Sequence, residues 1–280
     1  MQKGYGMKYK LVAVDVDGTL VDKNGKVSQV DILAIAKAQS KGIQVSLATG
    51  RVIKACRRII EEVSLGGHHI FYDGAVVTDP VADDTVYIKT INEGVLRRAI
   101  EFARANEIYL ELYTTEKFYA ERTNWSDVVH RNYFGVDPII EDLDKICECH
   151  KIVKAELISR SKQEDAQIEM FKNEFNGLLR FSSAHSPAHP DIEFVNIVDP
   201  LVSKGEALRA LGEHLQIKKE EILAIGDGLN DLPLFEAAGT RVAMKNAYDV
   251  LKAEADDITN DVENGGVAAA IEKYILNSRF

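Results

Sequence analysis

Hydrophobic and polar positions along the first third of the chain follow two alternating rhythms. Residues 11–14, 43–48 and 69–72 are short, nearly continuous apolar runs, the pattern of strands buried on both faces. Between them, residues 30–41, closed by Gly42, and residues 52–63 carry the 3.6-residue period of amphipathic helices, the second with Ile53, Cys56, Ile59, Ile60 and Val63 on one side. Strand and helix in alternation, joined by short links, predict a parallel, doubly wound sheet.

From about residue 80 the rhythm changes. Residues 109–113, 117–121 and 153–158 alternate polar with apolar, which predicts antiparallel strands with one face buried and one facing solvent. Helical patterns at 93–105 and 163–175 intervene. After about residue 190 the first rhythm returns: a helix opening at Ser203-Lys204-Gly205, buried strands at 221–225 and 241–244, and a closing helix at 265–276. The predicted fold class is therefore α/β, a doubly wound, Rossmann-like parallel-sheet core formed by residues 1–80 and 191–280, with an α+β domain inserted at 81–190. No internal repeat or low-complexity tract interrupts it.

Four apolar runs stop at small polar clusters: Asp15/Asp17, Thr49-Gly50, Asp73-Gly74 and Asp227-Gly228. In a parallel sheet all carboxyl ends lie on one edge, where ligands bind, so these distant residues are expected to converge. Strand periodicity sends Asp15 and Asp17 to the same side. Two like charges side by side are costly without a cation, and Mg²⁺ prefers hard carboxylate oxygens; capping of a following turn is the plainer alternative. Thr49 offers a hydroxyl, and Gly50 lets a backbone N–H approach an anion. Arg51 is expected to open a helix whose N-terminus favours anions; a cap at Thr49 without ligand is equally open. Lys204 at a helix start opposes the macrodipole, a conflict that a bound phosphate would remove and that solvation would also tolerate. Gly226-Asp227-Gly228-Leu229-Asn230-Asp231 echoes a dinucleotide fingerprint, but Asp231 stands where close packing demands Gly or Ala.

Composition narrows the partners. The 280-residue chain is 46% hydrophobic, with net charge −10 and pI about 5.3, so nucleic acid and anionic membrane are poor partners. Any phosphate site must be locally basic or loaded with metal. Cys56, Cys147 and Cys149 are too few for a disulfide framework and fit a reducing cytoplasm. Cys147-Glu148-Cys149-His150 lacks the second ligand pair of a zinc site. No run approaches membrane-spanning length; residues 1–10 hold no signal-like apolar core, and residues 1–6 are expected to be a short lead-in. A monomer or weak homodimer is expected.

Taken in order, Asp15-Val16-Asp17-Gly18-Thr19, Ala48-Thr49-Gly50-Arg51, Ser203-Lys204-Gly205 and Gly226-Asp227-Gly228-Leu229-Asn230-Asp231 resemble the four motifs of the haloacid dehalogenase superfamily. The likeness is to its Cof-like phosphatase branch, with an α/β cap inserted between the second and third motifs. The resemblance implies a Mg²⁺-dependent phosphatase of small phosphorylated metabolites, sugar phosphates foremost, working through an aspartyl-phosphate. It implies Asp15 as nucleophile and Asp17 as general acid/base, the latter also lending its carbonyl to the metal. Thr49, Gly50, Lys204 and Asn230 would bind phosphate, Asp15, Asp17 and Asp227 the metal, and Asp231 would support them. The cap would be a lid, with Arg51, Arg122, Trp125 and His130 as candidates for choosing the leaving group. Asp73 departs from the branch, which usually has Asn before Gly-Ala.

Chemistry agrees with these roles. An ionised Asp15 needs no base to attack phosphorus, whereas the leaving alkoxide needs a proton, which Asp17 would carry if its setting is crowded and partly desolvated. A sugar phosphomutase on the same fold is the alternative enzyme. A phospho-accepting binding module without turnover is the non-enzyme reading, disfavoured by Asp17 and by the large insert.

Overall fold

A computed structural model describes residues 8–134, 137–186 and 189–277; the expected lead-in over residues 1–6 lies outside the described residues. The chain divides into two compact units. One takes in the chain up to Arg51, Cys56–Tyr87 and the chain from Ser203 onward; the other takes in Val52–Ala55 and Ile88–Val202.

The first unit runs β1 (Leu11–Val14), α1 (Gln29–Ser40), β2 (Gln44–Leu47), α2 (Ile53–Val63), β3 (His69–Phe71), β4 (Val76–Asp79) and β5 (Asp84–Ile88). The second holds α3 (Glu93–Ala105), β6 (Glu111–Tyr113), β7 (Phe118–Ala120), α4 (Ser126–Phe134), β8 (Ile139–Ile140), α5 (Leu143–Cys149), β9 (Lys154–Ser159), α6 (Lys162–Glu174), β10 (Arg180–Ser186) and β11 (His189–Val198). The first resumes with α7 (Lys204–Leu215), β12 (Ile222–Gly226), α8 (Leu232–Ala237), β13 (Thr240–Ala243), α9 (Asp249–Glu254), β14 (Asp257–Ile258) and α10 (Gly266–Ile271).

The expected parallel sheet is present, in the order β14-β13-β12-β1-β2 with every pair parallel. Its two central strands read Leu-Val-Ala-Val and Ile-Leu-Ala-Ile-Gly because neither face meets water; Leu11–Val14 are fully buried. At roughly 1.5–3 kcal/mol for each buried Leu, Ile or Val side chain, these strands anchor the unit. Helices α1 and α10 pack together, as do α7 and α8. The third apolar run departs from expectation. β3 pairs antiparallel with β4 in a separate sheet ordered β3-β4-β5 and meets the end of β2 through a parallel Ala48–Ile70 bridge, where the Thr49 N–H donates to Ile70 O at 3.0 Å.

In the second unit six strands are ordered β10-β11-β9-β6-β7-β8, antiparallel except for the β7–β8 pair. The expected return to the core at residue 190 falls inside β11, which is bonded to both β10 and β9, and this unit continues to Val202. One sheet face, with Leu112, Tyr119, Ala155, Leu157, Val195 and Ile197, joins α3, α5 and α6 in an apolar core. The opposite face carries the polar residues, and here the expectation of solvent fails: all six residues of β9 are buried, as are Glu111 and Tyr113. Trp125 and Val129 pack near this face against Ile158, Ile192 and Phe194.

Candidate active site at the carboxyl edge of the parallel sheet

β1 ends at Val14, and the Asp15 N–H donates to Ile225 O at 2.9 Å, holding the chain beside β12 for one more residue. The backbone then turns. Gly18 has φ +83°, and a Cβ there would stand 2.4 Å from Asp227 Oδ2; only glycine serves, for both conformation and space. The turn separates the two acids expected side by side. Asp15 is buried, whereas the Asp17 side chain is 61% exposed and paired with Arg51, whose Nε lies 2.9 Å from Oδ2. The crowded, desolvated setting expected for Asp17 is therefore not found, because the alternating strand ends before reaching it.

Lys204, the first residue of α7, is 1% exposed. Its ammonium donates to Asp15 Oδ1 at 2.6 Å and to Asp231 Oδ1 at 2.7 Å. Ser203 caps the helix by accepting from the Glu206 N–H. The conflict between lysine and helix dipole is thus met by buried carboxylates. Asp231 Oδ2 accepts from the N–H groups of Asp227 and Gly228 at 3.0 and 2.9 Å. Both Asp231 oxygens are committed within the protein. Asp227 accepts from the Thr19 hydroxyl at 2.7 Å.

Thr49 is buried, and its Oγ1 accepts from the Arg51 N–H at 3.1 Å. α2 begins only at Ile53, so Arg51 does not open it as expected; Gly50 and Arg51 form a bend instead. Gly50 leaves room for a neighbouring acid, since a Cβ would meet the Asp73 carboxylate at 2.8 Å. Asp73 adopts φ +56° and accepts from Asn230 Nδ2 at 3.2 Å. The structure therefore brings Asp15, Thr49, Gly50, Asp73, Lys204, Asp227, Asn230 and Asp231 into one linked neighbourhood, with Asp17 and Arg51 at its rim.

The electrostatics are one-sided. Burial raises the Asp15 pKa well above the carboxylate range; Lys204 pulls it back, while Asp231, Asp227 and Asp17 push it further up. Burial likewise pushes Asp227 up to about 6, opposed by the Thr19 hydroxyl and reinforced by Asp231. On Lys204 burial works against the charge, but Asp15, Asp231 and Asp73 outweigh it and hold the ammonium protonated. One buried cation faces several acids. Donor oxygens of Asp15, Asp227 and Asp231 lie within 4.8 Å of one another. A hard divalent cation fits this all-oxygen, charge-deficient set.

Two participants escaped the sequence reading. Thr19 was visible only as part of a motif. Asn246 follows β13 and donates to Gly18 O at 2.8 Å and weakly to Asp227 Oδ2 at 3.4 Å, while its Oδ1 accepts from the Val262 N–H. The available signal was that β13 is another parallel strand, so the loop after it must arrive at the same edge.

The remaining candidates lie in the second unit. Arg122 donates to Glu107 O at 2.9 Å and stands over the Tyr109 ring. Trp125 Nε1 donates to Glu164 at 2.7 Å beneath the Arg160 guanidinium. His130 is fully buried, 3.1 Å from Glu111 Oε1. Glu111 accepts from the Tyr113 hydroxyl at 2.6 Å, the same hydroxyl lies 3.1 Å from Glu156, and Glu156 pairs with buried Lys154.

A family profile described as haloacid dehalogenase-like hydrolase matches residues 12–271. The chain belongs to that family. A crystal structure of a haloacid dehalogenase-like hydrolase from Bacteroides thetaiotaomicron superposes with TM-score 0.80 at 26% identity, covering 95% of this chain and 99% of that one. The Bacillus subtilis 5-amino-6-(5-phospho-D-ribitylamino)uracil phosphatase YcsE is 28% identical over 95% of this chain and 96% of its own. The phosphoglycolate phosphatase of Methanothermobacter thermautotrophicus is 26% identical over 95% and 99%. The expected superfamily, α/β fold and hydrolase class are thereby met, and full-length likeness to named phosphatases supports a phosphoric monoester hydrolase.

Proposed function

We propose that this haloacid dehalogenase-like hydrolase is a Mg²⁺-dependent phosphatase of small phosphorylated metabolites, sugar phosphates foremost, acting through an aspartyl-phosphate on Asp15. The observation that carries the reading is the Asp15–Lys204–Asp231 bridge buried at the carboxyl edge of the parallel sheet. It presents one carboxylate beside a fixed positive charge at the place where such sheets bind ligands.

In this reading an oxygen of Asp15 attacks phosphorus as the bond to the leaving oxygen breaks. Asp17 delivers the proton that the leaving alkoxide needs. Water then attacks the phosphorus of the aspartyl-phosphate, Asp17 takes its proton, and inorganic phosphate leaves with Asp15 restored. Asp17 faces solvent and is held by Arg51, and Arg51 releases it as substrate enters. The Thr49 hydroxyl, the Gly50 N–H, the Asn230 amide and Lys204 receive the phosphoryl oxygens. Mg²⁺, held by Asp15, Asp227 and the Asp17 carbonyl, would offset the charge of the phosphate and of the nucleophile.

The second unit is proposed as the lid that chooses the leaving group. Arg122, Trp125 and the buried His130 each hold a partner within that unit, so any of them that contacts the leaving group must first give that partner up. The relatives named for a ribityl phosphate and for phosphoglycolate act on small phosphate monoesters, which is why that class is favoured. A panel of phosphorylated metabolites, assayed for phosphate release with and without Mg²⁺, tests the function. Incubation with ³²P-labelled substrate should trap acyl phosphate on the wild type and none on Asp15→Asn; labelling at another residue would remove the nucleophile assignment.

A further inference from the structure

A second set of metal-binding side chains lies in the first unit, away from the carboxyl edge. His68 stands just before β3, Asp84 opens β5, and His214 occupies the last turn of α7. His68 Nε2 lies 3.1 Å from Asp84 Oδ2. The His68 and His214 rings meet edge to face, with centroids 4.7 Å apart and planes at 65°. One donor atom from each of the three residues falls within 4.8 Å of the others. One sheet and a helix far from it in sequence thus bring two imidazoles and a carboxylate to one point.

We propose that His68, Asp84 and His214 form a binding site for a divalent transition metal, with Zn²⁺ as the best fit. The donor set separates it from the catalytic edge. Two nitrogens and one oxygen suit Zn²⁺, Co²⁺ or Ni²⁺, whereas Mg²⁺ seeks oxygen alone. Tetrahedral ligation at about 2.1 Å places donors about 3.4 Å apart. The His68–Asp84 pair already meets that spacing, so a modest rotation of the exposed His214 completes the set. The His68 side chain is only 11% exposed and fixes one ligand, while the Asp84 side chain, 58% exposed, leaves a path for the ion and room for water as a fourth ligand.

The position assigns the role. α7 carries Lys204 at its first residue and His214 in its last turn, and ten residues of helix separate them by about 15 Å. An ion at His214 touches no reacting group. It joins the sheet β3-β4-β5 to α7, two pieces far apart in sequence, and so acts as a staple that binds the folded chain and not the unfolded one.

The test uses tag-free, chelator-treated full-length protein in millimolar Mg²⁺, which occupies the carboxylate edge, titrated with ZnCl₂ by calorimetry and checked by elemental analysis after dialysis. One Zn²⁺ per chain should bind with a micromolar or tighter Kd. His214→Ala, at an exposed helix end, should weaken that binding at least 100-fold and abolish the rise in melting temperature that Zn²⁺ gives the wild type. His68→Ala should match it, and Asp84→Asn should weaken binding about tenfold. Asp227→Asn should bind Zn²⁺ as the wild type does, and His214→Ala should keep full Mg²⁺-supported phosphatase turnover. Absence of Zn²⁺ uptake by the wild type at 100 μM, or unchanged uptake by His214→Ala, would overturn the proposal. Loss of turnover in His214→Ala would overturn the staple role specifically.

Discussion

The two units each bury a cluster of carboxylates around one lysine, and the difference between them lies in how the charges balance. In the first, Lys204 faces Asp15 and Asp231 directly, with Asp227 close by. In the second, Lys154 pairs with Glu156, and His130 with Glu111, while the Tyr113 hydroxyl bridges the two glutamates. Both clusters present three potential metal ligands within reach of one another. Burial weighs on the His130 cation, but the hydrogen bond and charge of Glu111, with Glu156 behind it, raise its pKa above the ordinary 6.5. The second cluster therefore matches its two acids with a lysine and with a histidine whose cation Glu111 favours. Among the described residues the first sets more acids than cations against one another. Proximity of carboxylates alone does not mark a cation site; an uncompensated charge at an edge where ligands arrive does.

The sharpest way to break this comparison is to remove one charged group from each side. Asp15→Asn should lower kcat by at least about 10⁴-fold while leaving urea stability equal to or above that of the wild type, because one of several crowded acids is gone. Lys154→Met should do the reverse, leaving Glu156 buried without its ammonium and costing about 3–5 kcal/mol in urea unfolding. A Lys154→Met protein as stable as the wild type would show that the second cluster is solvated in solution.

Cation binding separates the clusters next. Mg²⁺ at a hundred times its Kd should stabilise the wild type by about 2.7 kcal/mol, seen as a higher melting temperature. Asp227→Asn should lose that response and Glu111→Gln should keep it. A smaller effect is expected at Asp73, whose carboxylate lies against Gly50 and Asn230. Asp73→Asn removes a negative charge beside the proposed phosphate binders and suits the left-handed backbone at that position. It should lower KM about three- to tenfold with kcat little changed, since tenfold corresponds to about 1.4 kcal/mol.

The finest test is pH. The His130 pKa is higher in the folded protein than in the unfolded chain, so its stabilising contribution is complete below about pH 6.5 and is lost as pH rises through the raised folded value. Unfolding free energy measured from pH 6 upward should decline, and His130→Gln should flatten that decline. A profile identical in the two proteins would mean that His130 stays neutral in the second cluster.

Continuous apolar runs made the parallel strands legible, because a strand covered on both faces has no alternation to hide it. The polar residues that end those runs then located most of the candidate site, since chain topology alone carries strand ends to one edge. Legibility failed where a short segment's environment depends on distant packing. The run at 69–72 reads as apolar whether it joins a parallel sheet or an antiparallel one, and only the β4 partner decides. Alternation in residues 153–158 distinguishes the two faces of β9 correctly, yet buried partners for Lys154 and Glu156 leave the same pattern as water would. Asp17 was misplaced because period-two reasoning was carried past Val14, where the strand stops. Asn246 sits in an ordinary turn sequence, and only the strand before it gives it a destination.

Asp231 grips the Lys204 ammonium with one oxygen and the Asp227 and Gly228 amides with the other. Lysine and loop are consequently geared together: a longer or bulkier cation at position 204 would swing the loop that carries Asp227. Engineering that retunes one of these positions will have to retune the other in the same step.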